Sequence, residues 1–433
     1  MRKLFSRVLE KIKPTDADIK RDGMLLEKLI QDIRRVVPNA EVAPLGSFAK
    51  GTNLKNERDI DVFVMVDKNV GLESILAKIR EIKGYKWISA YAEHPYLRTF
   101  FGGVKFDVVP CYKIKRIDEM ASSVDRSQLH LRYIKESLSE KQKDDVRLLK
   151  QFMKGIGVYG AELAVEGFSG YVCELLIVKY KTFSSVISEA AGWREPVFVD
   201  LTGKGSLFNA PITIIDPVDT NRNAAAVVSK TSLAKFVTAA RAFIKKPSEN
   251  FFFPKRRFSN RQRREAFERI KNCICIAFKK PKLIDDVLYP QLRKTAEKIA
   301  AHAEDSSFKL IGHSFAVDAE KDRCYLLFEF EVRELSPYLR IRGPFFYLTN
   351  NAEDFVKVHK TVFIEGDRLH AIERRKYTKA EDLLRYMMED AEKFGVPENI
   401  RRMLRNAEFI SDPSLVFNVF FDYFTGNAWW LHD

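Results

Sequence analysis

Apolar positions recur along the first part of the chain at two different periods. Leu26, Leu29, Ile30, Ile33 and Val37 are spaced three or four apart, which is the period of a helix with one buried face. Ahead of them Thr15-x-x-Asp18 reads as a helix start with Thr15 as N-cap, and Pro38 closes the helix. Ile60 to Val66 is an apolar run broken only by Asp61, so it predicts a strand. Leu72, Ile75, Leu76 and Ile79 mark a second amphipathic helix, and Tyr85 to Tyr91 and Gly103 to Tyr112 predict two more strands. The chain therefore opens with a mixed α/β head, placed at 1–137.

The period changes near residue 138. Val146, Leu149, Phe152 and Met153 form a helical stripe, Phe168 to Tyr180 a more apolar helix, and Ser232 to Ile244 another. These predict a mainly helical middle part, 138–250. Strand-like runs at Cys273 to Phe278 and Cys324 to Val332 then flank a helix at Tyr289 to His302, so the remainder, 251–433, reads as an α+β body and tail. No internal repeat interrupts this order.

Composition narrows the picture without deciding it. The 73 Lys and Arg against 59 Asp and Glu leave a net charge of +14, which favours a polyanionic partner such as nucleic acid, although a solvated basic surface has the same count. One basic stretch, Lys255 to Lys271, holds eight Lys or Arg against Glu265 and Glu268. Cys111, Cys173, Cys273, Cys275 and Cys324 include no CxxC pair and are odd in number, which argues against a zinc site or disulfide scaffold and for a reducing cytosol. The N-terminal MRKLFSRVLEKIKP lacks the apolar core of a signal peptide, and no run approaches membrane-span length. A cytoplasmic protein is expected.

The candidate chemistry lies at Gly46-Ser47-Phe48-Ala49-Lys50-Gly51-Thr52 followed by Asp59-Ile60-Asp61. Side chains alternate along a strand, so Asp59 and Asp61 share a face and form a hard-oxygen pair suited to Mg2+. Like charges there repel, and a divalent cation removes that cost. Gly46 allows a tight turn and a close approach of phosphate; Ser47 adds a hydroxyl and a backbone N–H, and a helix starting there favours a triphosphate. Asp107 lies inside the apolar run Val104 to Val109, where an unpaired carboxylate is costly, so a third metal ligand is expected there. Gly155-Ile156-Gly157-Val158-Tyr159-Gly160 matches G-x-G-x-x-G, but it follows a helix instead of a strand and reads as a glycine C-cap and loop.

Gly-Ser, a gap, then Asp-x-Asp in a strand resembles the nucleotidyltransferase signature of the DNA polymerase beta superfamily. The resemblance extends to archaeal, class I CCA-adding enzymes. It is carried by Ala92-Glu93-His94-Pro95-Tyr96, Asp107 to Lys113, Ser123-Val124-Asp125-Arg126, Val146 to Lys150 and Tyr159-Gly160-Ala161-Glu162. Further blocks are Gly167 to Tyr171, Cys173 to Leu176, Asp216-Pro217-Val218-Asp219 with Arg222-Asn223, Leu288 to Leu292 and Cys324 to Glu329; the last hundred or so residues match loosely.

This resemblance implies a polymerase-beta-like head and template-independent addition of C, C and A to the 3′ end of tRNA from CTP and ATP, with release of pyrophosphate. It implies two magnesium ions on Asp59, Asp61 and Asp107, and an incoming nucleotide held by Gly46, Ser47, Lys50, His130, Lys150 and Tyr159, with Arg222 reading the base edge. Relatives often carry Arg at the position of Lys50. The C-terminal part would grip the acceptor stem and T arm by shape, the basic stretch would meet phosphates, and relatives suggest a homodimer. Another RNA-terminal nucleotidyltransferase, of poly(A) or oligoadenylate type, shares the same core. An inactive tRNA-binding scaffold is the third reading, which intact carboxylates oppose. Trp429 and Trp430 are expected to pack, not to stack on RNA.

Overall fold

A computed structural model of the chain describes all residues except 92–94, 256–258, 427 and 432–433. The block at Ala92-Glu93-His94 and two arginines of the basic stretch, Arg256 and Arg257, therefore lie outside the described residues. The chain divides into two compact units, Met1–Arg256 with Ala428–Asp433, and Arg257–Asn427.

The first unit begins with helices α1 (Arg2–Ile12) and α2 (Asp16–Val36). Thr15 caps α2 through a capping box with Asp18, and the predicted Leu26–Ile33 stripe is its buried face. A five-stranded sheet follows, built from β1 (Glu41–Pro44), β2 (Asp59–Val66), β3 (Ile88–Tyr91), β4 (Pro95–Phe101) and β5 (Val104–Tyr112) in the order β1-β2-β5-β4-β3. The one-turn helix α3 (Ser47–Lys50) and the helix α4 (Leu72–Arg80) lie in the connections around β2. Among the described pairings of this sheet, β2 with β5 is the parallel one. Leu26, Leu29, Ile33, Ile60, Val62, Val64, Ile75, Ile79, Phe106 and Val108 fill the core between this sheet and the helices.

The helical layer comprises α5 (Ser127–Ser137), α6 (Glu140–Gly155), α7 (Gly170–Tyr180), α8 (Phe183–Ala191) and α9 (Lys230–Lys245), with the short strands β6 (Val197–Val199), β7 (Ile212–Asp216) and β8 (Asp219–Asn223) between the last two helices. Its core is aromatic: the Phe152 ring lies 5.4–6.3 Å from those of Phe183, Phe236, Phe243, Phe251 and Phe252. The G-x-G-x-x-G segment is the end of α6, with Gly157 in the left-handed region at φ 72°. Helix α7 starts later than its apolar run: Ser169 caps it through the Val172 amide, and Phe168 instead bridges Tyr159. Residues 429–431 pack on this unit, where Trp430 is buried and donates to Thr238, and Trp429 lies 4.9 Å from Phe251.

The second unit holds α10 (Asn260–Ile270), β9 (Cys273–Lys279), α11 (Asp285–Asp305), β10 (Leu310–Asp318), β11 (Arg323–Phe330), β12 (Tyr338–Phe345), α12 (Thr349–Val358), β13 (Val362–Glu365), β14 (Arg368–Arg374), α13 (Ala380–Glu389) and β15 (Glu408–Ile410). Strands β10-β11-β9-β15 form one antiparallel sheet and β12-β14-β13 a smaller one. Strand β9 is apolar on both faces because both are covered. Ile274, Ile276 and Phe278 meet α11 and α13, while Cys273, Cys275 and Ala277 meet α10 and residues 416–424. Among the described residues no helix is long and apolar enough to cross a membrane.

Candidate active site

The carboxylates sit where two parallel strands begin side by side. Asp59 opens β2 and is exposed, Asp61 is partly buried, and every later residue of β2 is buried, so the acidic pair occupies the strand's open end. In the parallel register Asp61 faces Asp107 and Asp59 faces Lys105; on the other side of β5, Arg98 of β4 faces Asp107. Strand alternation thus puts Asp59, Asp61, Lys105, Asp107 and Arg98 on one face.

Asp107 corrects one expectation: its carboxylate is not unpaired. Arg98 donates to it through two parallel hydrogen bonds, Nε to Oδ1 at 2.7 Å and Nη2 to Oδ2 at 2.8 Å. Lys105 Nζ lies 2.5 Å from Asp59 Oδ2. Asp61 between them is pushed up to about 6 by burial and then by the charges of Asp107 and Asp59, with Lys105 and Lys50 opposing. Among the described residues no three His, Cys, Asp or Glu side chains converge tightly enough to hold one ion. The donor set nonetheless fits a hard divalent cation: three carboxylates share a face, and the middle one gives up its proton reluctantly without a nearby cation.

The glycine turn is pressed against this face. A Cβ added at Gly46 would lie 2.0 Å from Asp61 Oδ2, so no other residue fits there without moving the carboxylate. Gly46 is the N-cap of α3, and Gly51, in the left-handed region at φ 69°, ends it after one turn. Arg147 of α6 holds this loop by donating to the carbonyls of Gly51 and Asn53.

Behind the loop lies a buried ionic cluster. Lys50 Nζ donates to Glu174 at 2.8 Å, Thr52 Oγ1 donates to Glu174 at 2.6 Å, and Lys150 Nζ donates to the Thr52 carbonyl at 3.1 Å and approaches Glu174 to 3.7 Å. Burial pushes Glu174 up, but Lys50, Lys150 and the hydrogen bonds outweigh it and hold its pKa below the ordinary carboxylate value. Burial pushes Lys150 down. Gly170 at the start of α7 makes room for Lys150 and the Tyr159 hydroxyl, whose atoms lie 3.1–3.4 Å from where its Cβ would be.

Lys50 also lies 5.1 Å from the Tyr171 ring centroid, and Tyr171 stacks on His130 at 3.8 Å. Both rings serve Asp216. His130 Nε2 is 2.9 Å from Asp216 Oδ2, Tyr171 donates to Oδ1 at 2.9 Å, and Arg222 Nη1 donates to Oδ2 at 2.9 Å. His130 is placed by Asp125, which accepts the amides of Tyr112, Ala121 and Ser122 and so ties the turn before α5 to the end of β5. Burial lowers the His130 pKa despite Asp216, leaving the ring mostly neutral near pH 7. Asn223 locks the β7–β8 hairpin carrying Asp216 and Arg222 by bonding the Ile212 carbonyl and the Ile214 and Ala225 amides.

The expected site residues all lie in the first unit, some on the open strand face and others, such as Lys50 and Lys150, buried behind it. Asp59, Asp61 and Asp107 adjoin Gly46 and Ser47; Lys50 is linked through Glu174 to Lys150, and through Tyr171 to His130 and to the Asp216 that holds Arg222. Sequence reasoning assigned no role to Arg98, Lys105, Tyr171, Glu174 or Asp216. Only strand register and helix packing reveal these five, although Tyr171, Glu174 and Asp216 stand inside blocks that carry the resemblance.

The chain matches three family models in succession: a nucleotidyltransferase domain over 26–143, the second domain of tRNA nucleotidyltransferase over 144–253, and the C-terminal domain of CCA-adding enzyme over 269–412. It is 37% identical over 395 residues to the CCA-adding enzyme of Sulfurisphaera tokodaii, covering 89% of this chain and 92% of that protein. It is 35% identical over 419 residues to that of Methanothermobacter thermautotrophicus, covering 92% and 90%. With its carboxylate-bearing sheet and this end-to-end similarity, the chain belongs to the CCA-adding enzymes, a family of tRNA nucleotidyltransferases.

Proposed function

We propose that Asp59, Asp61 and Asp107 are the catalytic metal ligands for the activity of this family, template-independent addition of CCA to the 3′ end of tRNA from CTP and ATP. The observation that supports this most is the register placing Asp61 beside Asp107, with Asp59 on the same face. Magnesium is the proposed ion; when bound it lowers the pKa of the tRNA 3′-hydroxyl and steadies the triphosphate and departing pyrophosphate. The chain's own residues hold the reactants in line and neutralise charge.

Gly46 and Ser47 cradle the triphosphate in this reading. Lys50 and Lys150, two cations around the single acid Glu174, leave a buried positive excess that a polyphosphate offsets. Tyr159 lines the same wall. His130 and Tyr171 hold Asp216, which in turn aims Arg222 at the base. A guanidinium only donates, and both the cytosine O2/N3 edge and adenine N1 or N7 accept. We also propose that 1–137 acts as the catalytic head, 138–250 as the nucleotide-binding part and 251–433 as the tRNA-binding body and tail, gripping acceptor stem and T arm. The enzyme would work in the cytoplasm, as a homodimer.

Incubating the protein with tRNA that ends before CCA, together with CTP and ATP, tests the reading. Ordered C, C, A addition that then stops supports it; tailing of unrelated RNA with ATP alone overturns it in favour of a poly(A)-type transferase.

A further inference from the structure

The mechanism above gives no role to Arg98, yet among the described residues it alone grips a carboxylate of this face through two parallel hydrogen bonds. Its guanidinium engages both oxygens of Asp107 in the planar, two-bond arrangement that fixes a carboxylate's orientation as well as its charge. Arg98 is itself steadied: Nη2 also donates to the Tyr96 hydroxyl at 3.0 Å, and the guanidinium carbon lies 5.6 Å from the Tyr96 ring centroid. All three residues belong to the β4–β5 pair, whose register sets Arg98 directly opposite Asp107. An ionised carboxylate has about four lone-pair sites, and the Arg98 fork takes two of them. Among the described residues no other hydrogen bond to Asp107 is present, which leaves the remaining two for a cation.

We propose that Arg98 is a positioning residue of the metal centre. It locks the plane of the Asp107 carboxylate so that the remaining lone pairs face the cation, and it stays in place when the cation binds. The inference rests on reading Asp59, Asp61 and Asp107 as metal ligands. It makes a prediction opposite in sign to simple electrostatics. A guanidinium beside a divalent ion repels it, so charge alone says that removing Arg98 tightens metal binding. Positioning says that removal weakens it, because a loosened ligand loses the geometry its partner enforced, typically about tenfold or more.

Mn2+ binding to the full chain, followed by electron paramagnetic resonance without tRNA or nucleotide, separates the two. R98A is expected to weaken Mn2+ binding about tenfold. R98K keeps the charge but cannot form the planar fork, so it should follow R98A instead of restoring the wild-type value. Y96F, which removes one hydroxyl, should shift binding less but in the same direction, and it supplies the test if R98A does not fold. With tRNA present, kcat should fall while KM for tRNA holds. Tightened or unchanged Mn2+ binding in R98A, or full recovery in R98K, overturns the proposal. D107A serves as the reference: if it binds Mn2+ like the wild type, the carboxylate reading fails and this inference with it. If D107A binds weakly while R98A is unchanged, only the role of Arg98 fails.

Discussion

Asp61 is the residue on which the site's electrostatics turn. Burial and two neighbouring carboxylates push it up to about 6 from an ordinary 3.8, so the metal-free protein holds an extra proton between those values. The unfolded chain does not hold that proton, so metal-free stability falls as pH rises through this window. A bound cation favours the ionised form and removes the cost. The rise in melting temperature on adding Mn2+ should therefore be small near pH 5 and fully developed by about pH 7; a rise independent of pH would contradict this. Glu174 poses the opposite case. It is the single acid between Lys50 and Lys150, and E174A would strand both lysines in a buried site. Denaturant unfolding should show a loss of about 3–5 kcal/mol. Neither environment was legible in the sequence. Asp59 and Asp61 could be paired from strand alternation alone, but nothing in the block Cys173 to Leu176 showed which cations Glu174 meets, and Asp107 looked unpaired because Arg98 lies nine residues away on another strand.

At the scale of elements, what could be read followed from strong periodicity. The α2 stripe, the β2 run, α4, α9 and β9 were all foreseen, because each buries one or both faces in a regular pattern. Strand β4 was not, and with it went Arg98. Its sequence PYLRTFF alternates only weakly, since just Leu97 and Thr99 are buried. The turn that joins it to β5, Gly102-Gly103 with both residues at positive φ, was the available hairpin signal. Strand β3 was foreseen from Tyr85 but starts at Ile88, because Tyr85 and Trp87 pack as loop aromatics against the head core. The turn at Gly46 makes an element-level prediction. G46A places a methyl group 2.0 Å from Asp61 Oδ2, so the carboxylate must move. The protein should fold, while turnover drops on the order of 100-fold from a displaced ligand. Wild-type kcat in G46A would show that the turn does not set the carboxylate.

For the whole molecule, the excess of +14 becomes informative once a polyanionic substrate is established for the family. Most of the described basic stretch is α10, whose Arg261, Arg263 and Arg264 are exposed, while Arg269 turns inward to pair with the buried Glu329. The triple variant R261A/R263A/R264A should weaken tRNA binding and flatten its dependence on salt by roughly one unit of slope per lost phosphate contact, with KM for CTP unchanged. An unaltered salt slope would mark α10 as a solvated helix. The carboxylates by themselves identify a transfer reaction but not its acceptor; the substrate class becomes legible only from the ordered similarity across both units. The most direct test of the central claim joins these two layers. In D61A, single-turnover extension of tRNA lacking CCA should vanish while the Kd for that tRNA stays within about twofold of wild type. Extension at the wild-type rate would contradict the claim that this carboxylate face builds the CCA end.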